Sequence, residues 1–280
     1  MLRPYIPGTS LPEHLESLYR RFNPTEKPLE HLNPWTNIRV DDNPEAIIWA
    51  TGTDAAGRHQ RIYSPMHTTA ASGEKFDRVR ELLAEWEDIR TQIEADLNDP
   101  QFPSEKREAA LTAYLIYETG IRPGSEHDTK AKVQAYGATT IQLRHVKQCP
   151  KGVRLQFIGK KGVKQNVLVT NPYLVRVMLQ RKRSSATWST SVFAVTVNDL
   201  RRYVATLGSG NYTPKDFRTA RGTSMALELL GSRKRLPSTK TGRKRLLNNA
   251  LDRIAKTLGN TRAVCKRSYC DPGVIRRYES

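Results

Sequence analysis

Phe76, Val79, Leu82, Leu83, Trp86, Ile89, Ile93 and Leu97 recur at three- and four-residue steps, the spacing that gathers side chains onto one face of an α-helix. The run predicts one long amphipathic helix, stopped at Asn98-Asp99-Pro100 because proline cannot continue it. Nothing upstream keeps that rhythm. Residues 1–73 carry eight prolines and short β-like runs, "NIRV", "AIIWATG" and "RHQRIYS", the last two joined by "TGTDAAGR", whose Asp and Gly have the chemistry of a hairpin connection. The expected fold is α+β. A small antiparallel β domain over 1–73 precedes a mainly α-helical domain over 74–280, and 280 residues are enough for a core in each.

Within the second part, Ala109, Ala110, Ala113, Tyr114 and Tyr117 mark a helix that ends in "ETGIRPGSE". Alternation appears once: Val153, Leu155 and Phe157, then Gly159-Lys160-Lys161-Gly162, then "VKQNVLV", a β-hairpin with two lysines at its tip. Leu174 to Leu179 belong to a further helix, and "DFRTARGTSMALELL" leads into another. Leu246, Leu247, Ala250, Leu251, Ile254, Ala255 and Leu258 form an apolar stripe closed by Gly259 as C-cap. Thr261 can cap the short helix that carries Tyr269, beyond which Asp271-Pro272-Gly273 reads as a turn. Residues 232–245, "SRKRLPSTKTGRKR", read as a charge-dense loop.

Charge narrows the partner. Residues 201–280 hold 19 Lys/Arg against 5 Asp/Glu, a net +14 of the chain's +18, so a polyanion should meet the C-terminal part. No 18-residue apolar run appears, and "MLRPYIPGTSLPEH" lacks the apolar core of a signal peptide; no membrane partner is expected. Cys149, Cys265 and Cys270 form no CxxC and read as small hydrophobes in a reducing compartment. His59 and His67 show no metal-ligand spacing and read as surface residues.

Breaking a phosphodiester without metal requires a nucleophile, donors for the charged equatorial oxygens and an acid for the departing oxygen. Tyr269, between Lys266-Arg267 and the Asp271 turn, offers a nucleophile that conserves the bond as a phosphotyrosine. Arg122, Lys160 and Arg218 stand at element ends. Taken singly, each also reads as a core tyrosine, a surface ion-pair partner or a solvated lysine.

The order of the pieces is more specific. "TGIRPGSE", "YGATTIQLRHV", "VRLQFIGKKG", "KDFRTARGT" and "LGNTRAVCKRSYCDP" together resemble the catalytic domain of type IB DNA topoisomerases, above all the small bacterial and poxvirus-like group. Upstream, "PWTNIRV" and "ATGTDAAGRHQRIYSP" are similar to the N-terminal β domain of the bacterial members. The resemblance implies a monomer clamping duplex DNA with no cofactor. Its tyrosine cleaves one strand through a 3′-phosphotyrosyl link, supercoils relax by rotation of the free 5′-hydroxyl end, and that hydroxyl reseals the strand. It implies a cytoplasmic or nucleoid location for a bacterial protein, and the virion or host DNA compartment for a viral one.

Carried onto this chain, the resemblance implies Tyr269 as nucleophile, Arg122 and Arg218 on the scissile phosphate, and Lys160 as general acid on the leaving oxygen. Arginine suits the first role through its planar, permanently charged fork; a lysine, once desolvated, can give up a proton. Asn260, nine residues before Tyr269, takes the place where poxvirus-like members have histidine and bacterial ones commonly asparagine, and its amide can donate to a non-bridging oxygen. Arg262 replaces an expected proline, and Ala220-Arg221 stand where an aromatic usually follows "RT". DNA contacts are expected from Gln60, Arg61 and Tyr63, with Arg61 and Tyr63 on one strand face, and from Lys161, Lys215, Arg221, Lys266 and Arg267; Asp54 and Arg58 should shape the neighbouring turn. Two alternatives stay open: a tyrosine recombinase, although Lys215 stands where recombinases usually have the histidine of HxxR, and a non-catalytic DNA-binding protein on the same fold.

Overall fold

The computed structural model describes residues 1–6, 9–22, 35–126, 134–231 and 236–279. Contacts divide the chain into two units, Met1–Lys75 and Phe76–Ser280.

The first unit is a four-stranded antiparallel sheet, β1 (Arg3–Pro4), β2 (Thr36–Val40), β3 (Ile48–Thr53) and β4 (His59–Tyr63), in that order. A helix absent from the sequence reading, α1 (Glu13–Phe22), supplies Leu15 to a core with Tyr5, Leu11, Val40, Trp49 and Ala50. Its apolar signal, Leu11, Leu15 and Leu18, is short and surrounded by prolines. Asp54 organises the β3–β4 turn as expected: its carboxylate accepts from the backbone N–H of Ala56 and Arg58, both at 3.0 Å, and from Arg58 Nε at 2.9 Å. The Arg58 bonds first, with smaller help from Ala56 and Gln60, hold its pKa down to about 2.

The long helix expected over Phe76–Leu97 is two helices. The first, α2 (Pro65–Ala84), begins eight residues before Gly73, and α3 (Trp86–Asn98) follows it. Glu85 at the break has φ −97° and ψ 10°. Its carboxylate accepts from the Ser209 hydroxyl, from Ser209 N at 3.0 Å and from the Tyr212 hydroxyl at 3.0 Å. These bonds hold the chain at a bend that leaves the apolar spacing intact, so periodicity alone does not register it. Helix α4 (Ser104–Thr119) is buried from Ala109 through Tyr117, as a helix apolar on every face must be, and Gly120 at φ 66° ends it.

The expected hairpin is two strands of a three-stranded antiparallel sheet, β5 (Val146–Cys149), β6 (Gly152–Ile158) and β7 (Lys164–Val169). β5 is four residues long with only Val146 buried, too short to show alternation. Then come α5 (Pro172–Ser184), α6 (Val197–Val204), α7 (Pro214–Ala226), α8 (Lys240–Leu258), α9 (Arg262–Ser268) and α10 (Pro272–Ile275). Capping boxes Thr196/Asp199 and Thr213/Asp216 start α6 and α7; the sequence reading did not assign α6.

Two further readings change. Residues 240–245 of the expected basic loop are the first turns of α8, and residues 232–235 lie outside the described residues. Asp271-Pro272-Gly273 begins α10, with Asp271 as its N-cap, rather than forming a turn. Gly259 at φ 57° and the Thr261 side chain accepting from Val264 N cap α8 and α9 as expected. Cys265 and Cys270 are buried, Cys149 is half-buried, and all three are free. Among the described residues no helix is long and apolar enough to cross a membrane.

Candidate active site

Tyr269 is the residue that ends α9, at φ −131° and ψ −2°, one residue before the Cys270-Asp271 link into α10. It is 6% exposed, and it lines a cleft of about 570 Å³ together with Arg122, Lys160, Lys215 and Arg218. α7 holds its backbone: Thr223 Oγ1 donates to the Tyr269 carbonyl at 3.3 Å and accepts from Asp271 N at 3.2 Å.

Arg218, one turn into α7, is 2% exposed. Its two terminal nitrogens donate to the carbonyls of Gly120 and Leu258, which end α4 and α8. One guanidinium is thereby fixed by two helix C-termini, where backbone carbonyls lack intrahelical partners. The charge lies 4.9 Å from the centre of the Tyr269 ring. Burial alone would raise the tyrosine pKa, but the charges of Arg218, Arg122 and Lys215 outweigh it and bring the phenol below its ordinary 10.0. A phenol in this setting ionises more readily than one in water.

Arg122 follows α4 on a loop held by backbone pairing, Ala138 N to Arg122 O at 2.8 Å and Thr139 N to Pro123 O at 2.7 Å. Gly137 permits that approach, since a β-carbon there would lie 2.5 Å from Gly124 Cα. Arg122 Nη2 donates to Asn260 Oδ1 at 2.5 Å. Because arginine only donates, the Asn260 oxygen is turned to it and the Nδ2 amide is left over, buried and without a partner among the described residues. Arg218 Nε is in the same condition. Asn260 stands in the joint between the Gly259 stop of α8 and the Thr261 cap of α9, and α9 separates it from Tyr269.

Lys160 lines the cleft from the β6–β7 connection and is exposed. Next to it, Lys161 is left-handed at φ 62° and exposed. Gln165 on β7 packs over both Gly159 and Gly259, bringing the residue before Lys160 and the residue before Asn260 under one side chain. Arg201 on α6 and Tyr136 also line the cleft and were not singled out in the sequence. Arg201 belongs to the unassigned α6; Tyr136 lay inside a quoted motif, but one buried tyrosine carries no distinguishing signal.

The other candidate contacts are not among the residues that line the cleft. Arg221 is half-buried with its stem against Gly120. Lys266 is ion-paired to Glu279, and Arg267 is exposed. In the first unit, Arg61 and Tyr63 share an exposed face of β4, and Tyr63 stacks on His67 with centroids 5.1 Å apart rather than packing into the core. Gln60 points to the other side and donates its amide to Asp54 at 2.8 Å.

Comparison with known proteins bears on this arrangement. The family described as "Eukaryotic DNA topoisomerase I, catalytic core" matches residues 67–279, a span that includes all five candidate catalytic residues. Over 275 residues the chain is 28% identical to a protein named DNA topoisomerase 1B from Acanthamoeba polyphaga mimivirus, covering 91% of this chain and 81% of that one. The match decides between the topoisomerase and recombinase readings of the chain, which belongs to the type IB DNA topoisomerase family.

Proposed function

We propose that Tyr269 attacks the scissile phosphorus, with Arg122, Arg218 and Asn260 on the non-bridging oxygens and Lys160 as acid. The observation that carries this reading is the pair of orphaned donors, Arg218 Nε on the guanidinium beside the Tyr269 ring and Asn260 Nδ2 on the amide bonded to Arg122, together with a tyrosine whose pKa the neighbouring arginines depress. A buried donor without a partner costs about 1–3 kcal/mol, and an anion with several free oxygens supplies the missing acceptors.

In the forward step the phenolic proton passes to water, the Oη–P bond forms and the P–O5′ bond breaks, with the Lys160 proton taken up by the leaving oxygen. The strand is then joined to Tyr269 through its 3′-phosphate. In the reverse step the 5′-hydroxyl attacks phosphorus, returns its proton to Lys160 and releases the tyrosine. Bond energy is conserved throughout, which is why ATP has no place in the cycle. Among the described residues the cleft lining offers no carboxylate, histidine or cysteine, the donor types that would hold a divalent cation.

Arg61 and Tyr63 on β4, with Lys161 and Lys215 beside the cleft and Arg267 beyond it, serve as duplex contacts in this reading. Gln60 contributes its amide oxygen, while Arg221, its stem against Gly120, and Lys266, paired with Glu279, add positive charge for the duplex. One chain carries the full set, so the working form is a monomer clamping DNA, placed wherever the cell or virion keeps that DNA. The test is relaxation of a supercoiled plasmid in EDTA without ATP. Wild-type protein relaxes it, and Tyr269→Phe binds duplex within about twofold but leaves it supercoiled. A strict Mg²⁺ or ATP requirement, or relaxation by Tyr269→Phe, would overturn the reading.

A further inference from the structure

We propose that Arg80 is a positioning residue for the nucleophile, acting through Asp271; the inference rests on Tyr269 being that nucleophile. Tyr269 occupies a short joint between α9 and α10, so the direction of its ring is set by whatever fixes the two ends of the joint. Thr223 of α7 fixes one side. The other side is Asp271, whose side chain is 5% exposed. Its Oδ1 accepts from Gly273 N at 2.7 Å, and its Oδ2 accepts from Arg80 Nη1 at 2.6 Å. Arg80 reaches it from α2, 191 residues earlier in the chain, and turns its other terminal nitrogen to Asp77.

The same helix repeats the device two residues earlier. Arg78 donates through Nε and Nη2 to the two oxygens of Asp216, at 3.2 and 3.3 Å. Asp216 is 2% exposed and closes the capping box at the start of α7, two residues before Arg218. One helix therefore holds a buried carboxylate beside the nucleophile and another beside its cation. Both carboxylates sit at helix N-termini, where negative charge is favoured, and each would be left buried and unpaired without its arginine. Bidentate or paired arginine contacts fix angle as well as distance, and a displacement of about 1 Å at a reacting atom can cost about 10²-fold in rate.

The experiment compares single-turnover cleavage, religation and duplex affinity for wild type, Arg80→Ala, Arg80→Lys and Asp271→Asn. Arg262→Ala, which breaks the exposed Arg262–Asp252 pair, is the control for loss of an ion pair. Arg80→Ala is expected to slow cleavage and religation by one common factor of about 10- to 100-fold. The cleavage equilibrium, the pH profile and duplex affinity should stay unchanged, Arg80→Lys should recover most of the rate, and Arg262→Ala should lose none. Asp271→Asn keeps the cap on Gly273 but weakens the pair, and should fall between wild type and Arg80→Ala; it carries the test if Arg80→Ala does not fold. Wild-type rates in both Arg80→Ala and Asp271→Asn would overturn the proposal. So would a loss of duplex affinity that accounts for the whole effect, or a shifted pH profile, which would mark direct action on the phenol. Tyr269→Phe run alongside separates the two claims: a covalent adduct from it removes the nucleophile assignment whatever Arg80 does.

Discussion

Gly222 lies against the backbone of Tyr269: a β-carbon on it would fall 2.5 Å from the Tyr269 carbonyl oxygen and 3.0 Å from the Tyr269 Cβ. In an ordinary helix interior Gly→Ala stabilises by about 1 kcal/mol. Here the sign should reverse, because the atom in the way is main chain. Gly222→Ala should lower the thermal midpoint and, in the protein that remains folded, slow cleavage without weakening duplex binding. A raised midpoint with full activity would show that α7 and the tyrosine segment do not approach this closely.

Asn260 makes a sharper prediction than loss of an amide. Asn260→Asp keeps an acceptor for Arg122 but removes the N–H donor and adds a charge that repels phosphate. It should be at least as damaging as Asn260→Ala, which removes one charge-stabilising donor at about 10²- to 10³-fold. Both should slow cleavage and religation together, and Asn260→His should retain much of the rate. If Asn260→Asp cleaves as the wild type does, holding Arg122 is the whole role of the residue.

The pH dependence follows from the depressed pKa of Tyr269. Cations favour its phenolate, so the reactive fraction rises with pH through a value below 10.0. Removing Arg218, the largest of those charges, moves the pKa up and carries the rising limb to higher pH. Arg218→Ala should therefore regain part of its lost cleavage rate between neutral pH and pH about 10, the region of an unperturbed phenol. The linkage has the same sign for stability: with the folded pKa below the unfolded one, the ionised tyrosine's contribution is present above pH about 10 and lost as pH falls through the folded value. Rate profiles of equal shape in wild type and Arg218→Ala would remove Arg218 from the phenol's environment.

The sequence made some of this legible and not the rest, for physical reasons. The stripe of α8, its Gly259 stop and the Thr261 cap were readable because helix periodicity and capping are local. The five catalytic candidates were readable from ordered motifs, and four of them line one cleft while the fifth bonds to Arg122. What brings them together was not readable. Arg218 is anchored on the carbonyls of Gly120 and Leu258, 98 and 40 residues away, and backbone acceptors leave no mark on residue type. The bend at Glu85 is likewise imposed by Ser209 and Tyr212, 124 and 127 residues on.

Lys160 is tested by changing the leaving group. A general acid contributes about 10²- to 10⁴-fold, but only where the departing atom needs a proton. Lys160→Ala should slow cleavage of an ordinary duplex far more than cleavage of one with sulfur at the 5′-bridging position, since a thiolate leaves unaided. Lys161→Ala should leave that ratio at the wild-type value. Equal slowing of both substrates by Lys160→Ala would reduce the residue to a surface charge near the phosphate.

The central claim is that Tyr269 becomes joined to DNA, and covalent trapping tests it most directly. A duplex nicked or truncated just beyond the scissile bond loses its 5′-hydroxyl fragment on cleavage, so the enzyme is left attached and can be digested and mapped. The account predicts a single modified peptide, carrying the nucleotide on Tyr269 through its 3′-phosphate, and no adduct from Tyr269→Phe. An adduct on any other residue, attachment through a 5′-phosphate, or an undiminished yield from Tyr269→Phe would contradict it.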